Sequence, residues 1–108
     1  KEFVMSDGRY FSGTIRNISA GGLYMVTDQN MNSGQIFSFS HAFRAEPFRV
    51  YAKVLRVQEL AGGYAYGCKF EELSPGEEAD VRNFVYQRQI QKQLEKQKKQ
   101  ELPGEDLS

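Results

Sequence analysis

Hydrophobic and polar residues alternate with a period of two along most of the chain up to Phe70. Glu2–Met5 is a short β-leaning run, and Ser6-Asp7-Gly8 after it is a hairpin turn signal with Gly8 free to take a positive φ. Arg9–Arg16 reads as the return strand, with Phe11, Gly13 and Ile15 on one face and Tyr10, Ser12, Thr14 and Arg16 on the other. Leu23–Thr27 alternates again, Leu23 and Met25 against Tyr24 and Val26. Asp28–Gln35 is polar and holds an Asn32-Ser33-Gly34 turn signal. Ile36–Ser40 places Phe37 and Phe39 together, and His41–Pro47 reads as a loop. Phe48–Gln58 is the longest alternating run, with Phe48, Val50, Ala52 and Val54 against Arg49, Tyr51, Lys53 and Leu55. Leu60–Gly63 turns the chain into Tyr64–Phe70, where Tyr64, Tyr66, Cys68 and Phe70 share a face. About six short strands joined by turns predict an antiparallel barrel or sandwich, and closure hides strand edges best, so a small barrel is expected.

The period then changes to about 3.6. Ser74 caps, Pro75 suits the first helical turn, Glu77 completes a capping box, and Leu73 precedes the cap as an apolar staple. The fold expected is therefore mainly β, a six-stranded antiparallel barrel over residues 1–73 with a long C-terminal α-helix over 74–101. Leu102-Pro103-Gly104 is a stop signal, and 102–108 is expected to be a flexible tail. Val81, Phe84 and Val85 form a compact apolar face, which continues into Arg88 and Lys92. Tyr86, Ile90 and Leu94 lie on roughly the opposite side. That second stripe is either a face for a partner helix or a set of scattered apolar residues on a solvated helix. Lys96–Gln100 has no apolar residue, so a coiled coil here is too short to stand alone.

Composition adds mainly exclusions. A chain of 108 residues suits one modest core. Lys+Arg 14 against Asp+Glu 14 gives no global attraction to nucleic acid. No apolar run approaches the ~20 residues of a membrane span, and the N-terminus is not a secretory signal. One cysteine makes no internal disulfide, so a cytoplasmic protein is the default. The chain starts in strand-like sequence without an initiator Met and reads as a piece of something longer or a trimmed form. His41 and Cys68 cannot make a zinc site by themselves; His41 reads as a surface loop residue and Cys68 as a small core residue. No phosphate-loop, dinucleotide-binding or nucleophile-elbow motif is present, so neither catalytic nor metal-ligating residues are assigned. Binding and interaction modules remain.

The stretch Arg16-Asn17-Ile18-Ser19-Ala20-Gly21-Gly22-Leu23 joins two strand-like runs. Asn17 and Ser19 are suited to bond their own backbone, and Gly21 and Gly22 accept positive φ or a close approach to the backbone. By residue type alone this is a tight turn, with a binding loop as the alternative.

Asn17-Ile18-Ser19-Ala20-Gly21-Gly22 resembles the [DN]-x-S-x-x-G motif of PilZ domains. Gly13-Thr14-Ile15 before it, Gly22-Leu23-Tyr24-Met25 after it, Val54-Leu55-Arg56-Val57, Tyr66-Gly67-Cys68-Lys69-Phe70 and the helix opening at Leu73-Ser74 are similar to the family's other blocks, over roughly residues 1–90. The resemblance implies a six-stranded barrel that binds cyclic di-GMP without catalysis or cofactor. It implies a guanine site at Asn17, Ser19 and Gly22, with Gly21 beside them. Arg16 and Arg56 are further candidates to face phosphate or stack on guanine; otherwise they are an exposed strand arginine and a barrel-edge ion pair. The family's R-x-x-x-R pair ahead of the first strand has no counterpart among Arg9, Arg16, Arg44, Arg49, Arg56, Arg82 and Arg88. Such a pair would fall upstream of Lys1. Its loss would weaken binding by about 1.5–3 kcal/mol per charged hydrogen bond.

The expected function is a bacterial cyclic di-GMP receptor domain acting on motility, exopolysaccharide or biofilm output. The alternative is a degenerate relative that no longer binds the ligand and works through protein partners or self-association on Tyr86, Ile90 and Leu94. A nucleic-acid-binding barrel of the OB type is disfavoured by the neutral charge and the lack of a basic-aromatic face, and no membrane insertion is expected.

Overall fold

In a computed structural model, the backbone is described for residues 1–107 and the side chains for residues 1–95. The elements are β1 (Glu2–Met5), β2 (Tyr10–Ser12), β3 (Thr14–Ile18), β4 (Gly22–Thr27), β5 (Ile36–His41), β6 (Phe48–Leu60), β7 (Gly63–Glu71) and α1 (Pro75–Leu107). All strands pair antiparallel in one curled sheet of order β2-β1-β5-β6-β7-β4-β3.

The mainly β class is as expected, with seven strands instead of six. The run Arg9–Arg16 is not one strand. It changes partners at Gly13, β2 pairing with β1 and β3 with β4. Those two strands are the opposite edges of the sheet, so the curled sheet brings its edges together through one residue. A side chain there would meet Met25 Cε at 2.8 Å and the Val26 carbonyl at 3.0 Å, which is why a glycine stands at the seam. The Gly13 N–H donates to the Lys1 carbonyl at 3.0 Å and the Gly13 carbonyl accepts from the Lys1 nitrogen at 3.1 Å, continuing the β1–β2 ladder, while the Thr27 hydroxyl donates to the Ser12 carbonyl at 2.6 Å and ties β4 to β2.

Inward residues follow the alternation: Phe3, Phe11, Met25, Phe37, Phe39, Val50, Val54 and Tyr66 are buried. Phe3 stacks on Phe11 with centroids 5.3 Å apart and meets Phe37 and Phe39 edge-on. The polar loop after β4 is anchored by one buried residue, Met31. The buried Tyr66 hydroxyl donates to the Gln29 carbonyl at 2.6 Å and accepts the Met31 N–H at 2.7 Å, so a core phenol holds the loop's backbone. Burial raises the Tyr66 pKa, against the lowering effect of the Met31 N–H.

The helix starts as its sequence predicts. The Ser74 N–H donates to Glu77 Oε1 at 2.9 Å, and the Glu77 N–H donates to Ser74 Oγ at 3.2 Å. Val81 is fully buried, and Leu73, Phe84 and Val85 pack against the core. Arg44 pairs with Asp80 at 3.0 Å across the start of the helix. α1 runs on through Leu102-Pro103-Gly104 to Leu107, beyond the end expected near Gln100. Ser108 and the side chains beyond Glu95, with the Lys96–Gln100 run, lie outside the described residues.

Candidate functional site

β3 extends to Ile18 and β4 begins at Gly22, so the expected loop shrinks to Ser19-Ala20-Gly21, and Asn17 and Gly22 are strand residues. The loop is closed by Ser19, whose N–H and hydroxyl donate to the Gly22 carbonyl at 2.8 Å and 3.3 Å. The Phe70 N–H donates to the Gly21 carbonyl at 2.9 Å and ties the loop to β7. Neither Gly21 nor Gly22 takes the positive φ their pairing suggested; that conformation belongs to Gly8 and Gly34. Their roles differ. Nothing approaches within 4 Å of a side chain placed at Gly21. A β-carbon at Gly22 would run into the Cys68 carbonyl oxygen, so Gly22 is what lets β4 lie this close to β7.

Two β-bulges shape the face beside this loop. On β3 the register passes from Ile15↔Met25 to Asn17↔Tyr24, leaving Arg16 as the extra residue. Arg16 and Asn17 are consequently both exposed, where strict alternation would put them on opposite faces. On β6 the register passes from Val54↔Cys68 to Arg56↔Gly67, leaving Leu55 extra and both Leu55 and Arg56 exposed.

The bulges fall in one cross-strand row: Asn17 opposite Tyr24, Tyr24 opposite Gly67, and Gly67 opposite Arg56. The Arg56 side chain lies along Gly67, with Nε 3.4 Å and Nη2 3.5 Å from where a β-carbon would stand. Tyr24, Arg56 and Gly67 border a shallow pocket of about 270 Å³. Arg56 is on an interior strand and not at a barrel edge. Among the described residues, no ion pair involves Arg16 or Arg56, and no hydrogen bond uses the Asn17 amide side chain.

The next outward row joins Gly22 to Lys69 and Lys69 to Lys53. Two lysines thus face each other directly across β6 and β7, an arrangement that repels. Among the described residues neither has a carboxylate within salt-bridge distance. On the other side of the loop Glu72, Glu78 and Arg82 lie beside Ala20 and Gly21, with Arg82 paired to Glu78 at 3.8 Å. Among the described residues, the face toward Asn17 and Arg56 carries the unpaired cations and is the more favourable one for an anion.

The structure places Arg16 and Asn17 on the β3 bulge, Ser19, Gly21 and Gly22 at the adjoining β3–β4 turn, and Arg56 farther along the same cross-strand row, beyond β4 and β7. It adds Tyr24, Lys53 and Lys69, which no local motif marks. Their outward positions were legible from alternation; their nearness to the loop depends on strand register.

His41 is not a surface loop residue as expected. It ends β5 half-buried, its ring 4.6 Å from that of Phe43 and 5.3 Å from that of Phe84. Burial, then the charges of Lys1 and Arg88, hold its pKa below the ordinary value. Cys68 is a core residue, its thiol pushed up to about 12 by burial and so protonated at neutral pH. Tyr86 and Leu94 are each 58% exposed, and Ile90 is half-buried. Among the described residues, no cluster of three or more His, Cys, Asp or Glu is placed to hold a metal, and no helix is long and apolar enough to cross a membrane.

A search of curated proteins finds no match to the chain. The PilZ domain family matches residues 2–87, a span that holds all seven strands, the short Ser19–Gly21 loop, the Asn17–Arg56 row and the first turns of α1. With most of its length matched, this chain belongs to the PilZ family, a family of non-catalytic cyclic di-GMP receptor domains.

Proposed function

We propose that this chain is a cytoplasmic bacterial receptor domain for cyclic di-GMP, using Asn17, Ser19, Gly21, Gly22, Arg16 and Arg56. The observation that carries the reading is the outward row from Asn17 to Arg56, set by two bulges and flanked by Lys53 and Lys69. The Asn17 amide offers a guanine edge one acceptor and two donors. The Arg56 guanidinium, supported on Gly67, offers a flat cationic surface for a base. Ser19 shapes the loop through the Gly22 carbonyl, and the open space at Gly21 lets a ligand reach the backbone. Lys53 and Lys69 supply charge toward a phosphate, and an anion between them relieves their mutual repulsion.

The domain carries no reaction in this reading. Ligand binding changes what the barrel and α1 touch, and passes the signal to motility, exopolysaccharide or biofilm output. Isothermal titration of cyclic di-GMP into the chain, and into a form extended upstream of Lys1, tests this. Saturable binding that Asn17→Ala and Arg56→Ala weaken is expected. A folded barrel that gives no binding heat in either form contradicts it.

A second reading is favoured by the exposure of Tyr86 and Leu94. Here the domain associates with a protein partner or with itself through the Tyr86/Ile90/Leu94 stripe and does not bind the dinucleotide. Sedimentation of the wild type and Leu94→Glu distinguishes it: association lost in the variant supports the stripe, and monomers in both count against it.

A further inference from the structure

The helix face that starts on the core with Val81, Phe84 and Val85 continues into Arg88 and Lys92, one turn apart. Both border a cleft of about 320 Å³ between α1 and β3. Arg16 and Asn17 face them from the β3 bulge, and Lys1 and His41 complete the wall. No Asp or Glu lines the cleft.

Its cations are held without being neutralised. The salt bridges among the described residues are Arg9–Asp7, Arg44–Asp80 and Arg82–Glu78, and none involves a cleft residue. Lys1 Nζ lies instead 5.7 Å from the centroid of the Phe39 ring, and the Arg88 guanidinium 5.4 Å from that of Phe84. An aromatic face attracts a cation but leaves its charge in place. His41 Nδ1 is buried with no hydrogen-bond partner, and its protonation is disfavoured first by that burial and then by Lys1 and Arg88. Like charges gathered in a recess focus a positive potential that an anion relieves.

We propose that this cleft takes one phosphate of the cyclic dinucleotide bound at the adjoining Asn17–Arg56 row, with Arg88 and Lys92 supplying charge to it from α1. The inference rests on the receptor reading above. Arg16 and Arg88 present planar forks suited to the non-bridging oxygens of a phosphodiester, and Lys92 and Lys1 act as point charges. Asn17 borders both the row and the cleft, so one ligand spans them. The ligand then bridges β3 and α1 beyond the turns that Val81 and Phe84 fix to the core. Occupancy clamps the continuing helix to the barrel, which gives the domain an output element.

The double variant Arg88→Gln/Lys92→Gln tests this, since glutamine keeps the helix propensity of the positions. Binding of cyclic di-GMP is followed by calorimetry at several salt concentrations. The ring signals of the chain's one histidine are followed by proton NMR in the wild type. Expected are affinity weakened at least about tenfold, a shallower salt dependence, and His41 signals that move on ligand addition. A double variant that binds as tightly as wild type, with His41 signals unmoved at saturation, overturns the cleft assignment and leaves the receptor reading standing. No binding by either protein, with each also extended upstream of Lys1, overturns both.

Discussion

The side chain of Arg56 rests on Gly67, its Nε 3.4 Å from the position a β-carbon would occupy. A β-carbon at Gly67 would just touch the guanidinium, so only a side chain larger than a methyl would displace it from beside Tyr24. Gly67→Val fills that space on the outer face, where a flexible side chain and not backbone is the nearest neighbour. The fold should survive. Affinity for cyclic di-GMP should fall by about 1.5–3 kcal/mol, the range for a charged hydrogen bond, in both Gly67→Val and Arg56→Ala. Because the two changes remove one interaction, the double variant should be little worse than either single one in a titration cycle.

The two adjacent glycines of the loop should respond oppositely. Gly22→Ala drives a methyl group into the Cys68 carbonyl, and backbone cannot swing aside as a side chain does. A loss of about 1–3 kcal/mol is expected from forcing β4 away from β7. Gly21→Ala meets open space and should shift stability by less than about 0.5 kcal/mol. Urea denaturation of both variants checks the contrast.

Tyr66→Phe removes one hydroxyl and leaves the Met31 N–H and the Gln29 carbonyl without it. The expected cost is about 1–3 kcal/mol, because buried polar groups are left unpaired while the ring itself is retained. Thermal unfolding should show it as a drop of about 4–8 °C per kcal/mol at this chain size.

Stability should also depend on the protonation of His41. Its folded pKa is held below the ordinary value of 6.5, first by burial and then by Lys1 and Arg88. Below 6.5 the unfolded chain takes up a proton that the folded chain refuses, so stability falls as pH drops from 6.5 toward the folded pKa. Above that window the contribution is fully present. His41→Phe should flatten the melting temperature across this window, and an unchanged pH profile in the variant would count against the burial of a neutral ring.

Much of the barrel was legible because local pattern and tertiary demand agree. Phe48, Val50, Ala52 and Val54 alternate inward as read, and Ser74 and Glu77 form the capping box their spacing dictates. The illegible parts were those where register decides. Alternation along Thr14–Ile18 places Arg16 and Asn17 on opposite faces; only pairing with Met25 and Tyr24 reveals the bulge that exposes both. Gly13 reads as an ordinary strand position until β2 and β3 are seen as opposite edges of the sheet. Lys53 and Lys69 carry no motif and meet through the β6–β7 ladder. Arg88 and Lys92 were visible as the polar end of an apolar helical face, but the β3 edge opposite them was not. His41 was misplaced because a polar residue beside a turn-rich segment reads as exposed, whereas Phe43 and Phe84 fold over it.

Amide NMR of the uniformly labelled chain during titration with cyclic di-GMP, using a form extended upstream of Lys1, tests the central claim most directly. The account predicts saturable shifts concentrated at Arg16, Asn17, Ser19, Gly21, Gly22, Tyr24, Arg56 and Gly67, with Met31 and other core amides still. An unchanged spectrum from a folded protein, or shifts confined to other faces of the barrel, would contradict it.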